Sequence, residues 1–136
     1  MLIANNIHII DQGSIYETAA WGNKELPSYL NQLLKVNTDL LPHSLLDTCL
    51  DIERILGRTR EVKWAIRTLD IDIIYYESWV IMSPELKVPH PYRADRKFIT
   101  TMLAALEPSL IDPIYRVSMK EMNENCEDIL EVSLIS

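Results

Sequence analysis

Glycine is scarce in this chain: 136 residues contain only 3, at Gly13, Gly22 and Gly57. A P-loop or a G-x-G-x-x-G turn needs several glycines within a few positions, so neither phosphate-binding loop is encoded. Cysteine is scarcer still. Cys49 and Cys126 stand far apart with no C-x-x-C spacing, which leaves no disulfide framework and no thiolate metal site to read. No apolar run reaches the roughly 18 residues of a membrane span, and Asp70 and Asp72 interrupt the longest candidate. The opening Met-Leu-Ile-Ala-Asn-Asn lacks the basic flank and small-residue cleavage site of a signal peptide. These absences predict one cytoplasmic domain over residues 1–136, with reduced thiols and no membrane partner. Cations are also in deficit, 13 against 20 acidic side chains, for a net charge of −7. Nucleic-acid affinity rests mainly on Lys and Arg paired with phosphates, so no nucleic-acid partner is expected.

The cations that are present cluster. Arg54, Arg58, Arg60, Lys63 and Arg67 fall in one window and Arg93, Arg96 and Lys97 in another. In an acidic chain this suggests a local site for a compact polyanion, because the planar guanidinium fork donates to phosphate in pairs. The plain alternative is a solvated loop whose charges aid solubility.

Residues 13–19 and 29–38 read as two strands joined by a turn-prone Trp21-Gly-Asn-Lys-Glu-Leu-Pro27 stretch. Pro42 suits the first turn of a helix, and Leu45, Leu46, Cys49, Leu50, Glu53 and Leu56 recur at helical spacing, predicting a helix over about residues 42–56. Residues 58–66 form a basic, irregular loop and 69–76 a strand. Phe98, Met102, Ala105 and Leu106 give a second helical face, broken by Pro108. Ser118 and Glu121 are spaced as a capping box ahead of a C-terminal helix carrying Met122, Cys126, Ile129 and Leu130.

Alternate side chains of a strand share a face, so Asp70 and Asp72 point one way while Leu69, Ile71 and Ile73 point the other. Two neighbouring carboxylates repel unless a cation lies between them, and hard oxygen ligands suit Mg²⁺. A solvated sheet face that binds nothing is the competing reading; the flanking arginines turn the dyad into a candidate metal–nucleotide site. Tyr29, Trp21, Trp64 and Phe98 are candidates to stack on a flat ring, or ordinary core and rim aromatics. Asn31 shares the Tyr29 face and has the groups to read a heterocycle edge, or is an ordinary edge polar group. His90, between two prolines, is a candidate phosphate or ribose donor, or a structural histidine. His8 and His43 lack acidic or cysteine neighbours at ligand spacing and receive no metal role.

Taken in order, Tyr16-Glu-Thr-Ala-Ala-Trp-Gly22, Tyr29-Leu-Asn31, Ile52-Glu-Arg-Ile-Leu-Gly-Arg-Thr-Arg60, Trp64-Ala-Ile-Arg-Thr-Leu-Asp-Ile-Asp72, Val88-Pro-His-Pro91 and Arg96-Lys-Phe98 closely resemble the 6-hydroxymethyl-7,8-dihydropterin pyrophosphokinase family of folate biosynthesis. The resemblance covers about residues 1–113 and leaves 114–136 as a C-terminal helical extension. It implies an α+β, ferredoxin-like α/β sandwich with an antiparallel sheet, ATP as co-substrate with two Mg²⁺ ions, and pyrophosphoryl transfer from ATP to the pterin with release of AMP. By motif it implies that Asp70 and Asp72 hold the metals and that Arg58 and Arg67 act with them in catalysis. Glu53, Arg60, Trp64, Arg67, Ile73, His90 and Arg96 would bind ATP. Thr18, Trp21, Tyr29, Asn31 and Phe98 would surround the pterin, with Tyr29 and Phe98 sandwiching the ring.

Some of the family pattern is missing or altered. The opening strand and its Gly-Ser-Asn loop have no counterpart, which predicts a sheet without its N-terminal strand and exposed edges open to association, where the full-length family is expected to be monomeric. Ala65-Ile66 replaces the usual Gly-Pro, Glu85 and Lys87 occupy positions near the nucleotide, and Thr100-Thr-Met102 replaces a more apolar stretch. The alternative of another class is a truncated, inactive or weakened remnant that binds nucleotide or pterin without turnover. A DxD-type glycosyltransferase shares the metal chemistry but has no companion motif here.

Overall fold

The computed structural model describes residues 6–18, 29–59 and 69–135, with the side chains of 57–59 excepted. Strand β1 (Ile7–Thr18), strand β2 (Tyr29–Thr38), helix α1 (Pro42–Thr59), the short strands β3 (Ile81–Met82) and β4 (Lys87–Val88), helices α2 (Lys97–Leu106) and α3 (Met119–Asn125), and strand β5 (Val132–Leu134) follow in that order. The mixture is α+β. One sheet runs β2-β1-β5, and β3 and β4 form a separate hairpin. The chain divides into two compact units, Met1–His8 with Asn37–His90 and Ile9–Val36 with Pro91–Ser136, the division falling inside β1 and β2.

In the first unit α1 begins at Pro42, whose missing N–H is harmless at a helix start, and Leu45 donates its N–H to Leu41 O at 2.8 Å. Leu45, Cys49 and Ile52 are buried, the i, i+4, i+7 rhythm of one helix face. Leu50 is 47% exposed. At 3.6 residues per turn it lies about 130° around the helix from that face, so it leaves the stripe predicted for it and Ile52 takes the core position. Glu53 sits at the edge of the buried face. Ile7, Leu86 and Val88 complete this unit's core.

Residues 69–76 carry no strand assignment, contrary to the sequence expectation. A strand requires a ladder with a neighbour, and this segment is held by scattered bonds instead. Ile71 donates its N–H to Glu53 Oε1 at 2.5 Å, His90 donates its N–H to Ile74 O at 2.9 Å, and the Tyr76 hydroxyl donates to Leu40 O at 2.6 Å. The apolar–polar alternation holds only over 70–73, where Asp70 and Asp72 are exposed while Ile71 and Ile73 are half-buried; Leu69, expected on the Ile71 face, is exposed as well.

In the second unit β5 pairs antiparallel with β1, in the register Tyr16↔Leu134, Glu17↔Ser133 and Thr18↔Val132. Helix α2 buries Ile99, Thr100, Met102 and Leu103, so its inward face is rotated from the one predicted and Ala105 is exposed. Ser118 caps α3 by accepting the Glu121 N–H at 3.1 Å, half of the capping box read in the sequence. The helix ends at Asn125, before Cys126, Ile129 and Leu130.

The second unit also buries an ion pair. Arg93 Nε donates to Asp112 Oδ2 at 2.5 Å and Arg93 Nη2 to Oδ1 at 3.0 Å. The guanidinium carbon lies 4.4 Å from the centroid of the Tyr115 ring. Asp112 Oδ1 also accepts the N–H groups of Ile114 and Tyr115, each at 2.8 Å. The side chains are 3% and 0% exposed, so removing one partner strands a desolvated charge.

Two predictions follow from this packing. Asp112→Ala should lower unfolding stability by about 3–5 kcal/mol, with an Arg93→Met/Asp112→Leu double variant closer to the native chain; urea unfolding measures both, and a single-variant loss below about 1 kcal/mol would contradict the account. Burial, with the Glu53 charge adding to it, pushes the Cys49 thiol above its ordinary range. A pKa raised by folding contributes stability that is whole below the unfolded thiol value and lost as pH climbs through the folded one. At pH 8 the half-buried Cys126 should therefore react with Ellman's reagent well before Cys49, whose labelling should await unfolding. Equal rates would show that the Cys49 environment is wrong.

Candidate active site

The residues assigned to metal and nucleotide that are described fall in the first unit, except Arg96. Asp70 and Asp72 project from a segment fixed at two points: Glu53 of α1 takes the amide between the two carboxylates, and the His90 amide takes the Ile74 carbonyl just beyond Ile73. A carboxylate spent on a backbone N–H is well used here, because a charged acceptor makes a stronger bond than a neutral one. Asp70 and Asp72, on either side of that amide, are exposed. Among the described residues no three His, Cys, Asp or Glu side chains converge into a metal cage. Two exposed carboxylates fit Mg²⁺, which takes one or two from a protein and fills its remaining positions with phosphate oxygens and water.

Following the dyad, the β3–β4 hairpin delivers Val88-Pro-His-Pro91. Ile81 pairs with Val88 and Met82 with Lys87, and the Ser83 Oγ both donates to Leu86 O and accepts the Leu86 N–H. Of the two residues where the family pattern is altered, Glu85 belongs to this turn and Lys87 to β4. His43 Nε2 lies 3.8 Å from Glu85 Oε2. The Glu85 carboxyl is held below its usual range chiefly by its own backbone N–H and then by Ser83.

Residues assigned to the pterin that are described lie in the second unit. Thr18, 4% exposed, ends β1, and Asn31 Nδ2 donates to its Oγ1 at 3.2 Å. Tyr29, two residues before Asn31 in β2, is 46% exposed, the exposure a ring needs to offer a face to a ligand. Arg96 and Phe98 flank the first residue of α2, with the guanidinium carbon 5.2 Å from the Phe98 centroid.

Arg58 falls in the last turn of α1, and its side chain, together with Trp21, Arg60, Trp64 and Arg67, lies outside the described residues. The turn at 21–27 and most of the basic loop at 58–66 do so as well. Sequence reasoning missed Asp112 and Asp128 as organising groups. An Asp immediately before Pro113 is a turn signal that points to Asp112. The reach of Asp128 to Lys97 gave none, since the two lie 31 residues apart.

Residues 1–108 match the model of the family described as 7,8-dihydro-6-hydroxymethylpterin-pyrophosphokinase. The chain is 43% identical over 108 residues to the 2-amino-4-hydroxy-6-hydroxymethyldihydropteridine pyrophosphokinase of Aquifex aeolicus, covering 79% of this chain and 68% of that one. It is 36% identical over 105 residues to the protein of the same name from Methylorubrum extorquens, covering 77% and 66%. It is 35% identical over 115 residues to the folic acid synthesis protein fol1 of Schizosaccharomyces pombe, covering 85% of this chain and 16% of that one. The chain thus spans about two thirds of the length of these two bacterial relatives. On a match that takes in the Asp70–Asp72 dyad, Val88-Pro-His-Pro91 and Arg96-Lys-Phe98, this chain belongs to the 7,8-dihydro-6-hydroxymethylpterin-pyrophosphokinase family.

Proposed function

We propose that the chain transfers the β,γ-pyrophosphoryl group of ATP to the hydroxymethyl oxygen of 6-hydroxymethyl-7,8-dihydropterin. The hydroxyl oxygen attacks the β-phosphorus, the bond from that phosphorus to the oxygen bridging it to the α-phosphate breaks, AMP leaves, and the hydroxyl proton passes to solvent. The observation that carries this reading is the exposed Asp70–Asp72 pair, with the amide between them held by Glu53, within a chain that belongs to a pyrophosphokinase family.

Transfer of this kind asks a protein for position and charge neutralisation more than for a covalent nucleophile. Asp70 and Asp72 would hold two Mg²⁺ ions, which when bound neutralise phosphate charge and lower the pKa of the attacking hydroxyl. Arg58, Arg60 and Arg67 would neutralise the triphosphate, Arg58 and Arg67 acting on the reacting groups. His90, Trp64, Ile73, Glu53 and Arg96 would orient the nucleotide. Tyr29 and Phe98 would stack on the pterin, with Asn31, Thr18 and Trp21 at its edge. The Thr18–Asn31 hydrogen bond supports this, since it ties the Asn31 amide to the end of β1. The ferredoxin-like sandwich belongs to the same reading, supported by the mixed α and β elements of the matched region. No helix among the described residues is long and apolar enough to cross a membrane, and small polar substrates of this kind fit a cytoplasmic site.

Asp70→Ala and Asp72→Ala should each reduce turnover at saturating Mg²⁺ by at least about 100-fold while pterin affinity stays within about twofold, because the dyad acts on ATP. Residual activity of about a tenth or more in either variant would remove the dyad from the mechanism. Pterin binding without turnover by the unaltered chain would favour the remnant. Glu53→Ala should quicken Ile71 amide exchange by about tenfold and lower turnover with it, as loss of a group that orients metal ligands does. Unchanged Ile71 exchange would mean that the tether does not operate in solution.

A further inference from the structure

Helix α2 starts without a cap of its own. Its N-cap residue is Arg96, which makes no side-chain cap and whose guanidinium has no acceptor to offer. The first amides of a helix need acceptors, and Ser, Thr, Asp or Asn normally supplies one from this position. Here the position is taken by a residue assigned to the nucleotide, and the second helical residue, Phe98, is assigned to the pterin. The first amide of all, beyond the usual reach of an N-cap side chain, finds its acceptor elsewhere in the unit: Asp128 Oδ2 takes the Lys97 N–H at 2.9 Å.

Asp128 is held in turn. Its Oδ1 accepts the Leu130 N–H at 3.0 Å, and two residues later Val132 opens β5, which pairs with Thr18. Lys97 Nζ also donates to Asn123 O at 2.9 Å, and the Thr100 hydroxyl donates to Asn123 Oδ1 at the same distance. Residues 123–134 therefore touch both ends of the assigned pterin set: the α2 start that carries Phe98, and the β1 end that carries Thr18 with its Asn31 partner. All of these groups lie in one compact unit, and residues 123–134 lie beyond the region matched to the family. A carboxylate beside a helix N-terminus is also favoured by the partial positive charge there.

We infer that Asp128 is a positioning residue for substrate binding: it accepts the first amide of a helix that has no side-chain cap of its own, and so sets where Arg96 and Phe98 stand. This rests on the proposed function for the identity of the ligands. It also makes binding reciprocal, because a ligand that orders Phe98 must favour the docked form of the 128–134 segment by the same factor.

The test uses the full chain with three variants. Asp128→Ala should raise the KM for the pterin and for ATP about fivefold, the size of a lost helix cap, with kcat little changed. It should also speed amide exchange at Lys97 and Phe98. Asp128→Asn, which keeps a carbonyl oxygen for Lys97, should recover most of both effects. Leu45→Ala, in the core of the other unit, serves as a destabilised control and should lower the melting temperature at least as much with no rise in either KM. An equal KM rise in the Leu45 variant, or KM values within twofold of native in Asp128→Ala, would overturn the positioning role. If the unaltered chain binds neither substrate, the functional reading has failed by itself. The exchange arm still decides the cap, and unchanged Lys97 and Phe98 exchange in Asp128→Ala would overturn it.

Discussion

Outside its helices and strands, the backbone amides of this chain's described residues go to loop carbonyls, to hydroxyls and, at several decisive places, to side-chain carboxylates. Glu53 accepts the Ile71 N–H, Asp112 accepts those of Ile114 and Tyr115, and Asp128 accepts those of Lys97 and Leu130. A buried backbone N–H without a partner is costly, so each of these bonds fixes a segment that neither helix nor strand periodicity would fix. The 69–76 segment, the 112–115 turn, the start of α2 and the 128–130 segment are so held. The first and third carry residues assigned to substrate, the second anchors Arg93, three positions before Arg96, and the fourth leads into β5.

The functional reading falls naturally onto this arrangement. In the first unit one carboxylate holds the backbone while two others stay exposed, a division of labour that a free loop bearing Asp70 and Asp72 would lack. In the second unit the ring-binding candidates come from a sheet and a helix start. There the rigidity of β1 and β2 suits Asn31, and the exposed first turn of α2 suits Phe98. Arg93 and Asp112 contribute through packing and charge pairing.

Local features were legible in the sequence. Pro42 marked the start of α1, residues 29–38 formed β2 as read, and Ser118 with Glu121 marked the α3 start. The family was legible for a related reason: Arg67-Thr-Leu-Asp-Ile-Asp72 and Val88-Pro-His-Pro91 are short, contiguous and chemically distinctive. What depends on distant partners was not legible. The inward faces of α1 and α2 depend on what each helix packs against, so Leu50 and Ala105 were assigned to faces they do not occupy. Alternation in residues 69–76 encodes which side chains are covered, but a ladder also needs a neighbour, and none is assigned there. The partners of Glu53, Arg93 and Lys97 lie 18, 19 and 31 residues away, and no periodicity reports on such pairs.

The roles proposed for the dyad and for the ring-binding candidates all require that this chain itself move a pyrophosphoryl group from ATP to a pterin alcohol. The most direct measurement is ³¹P NMR of the purified chain incubated with Mg²⁺, ATP and 6-hydroxymethyl-7,8-dihydropterin in excess over protein. The account predicts AMP and a pterin diphosphate ester growing in equal amounts, dependent on the pterin, with no ADP. ATP left intact after prolonged incubation, or ADP as the nucleotide product, would contradict it.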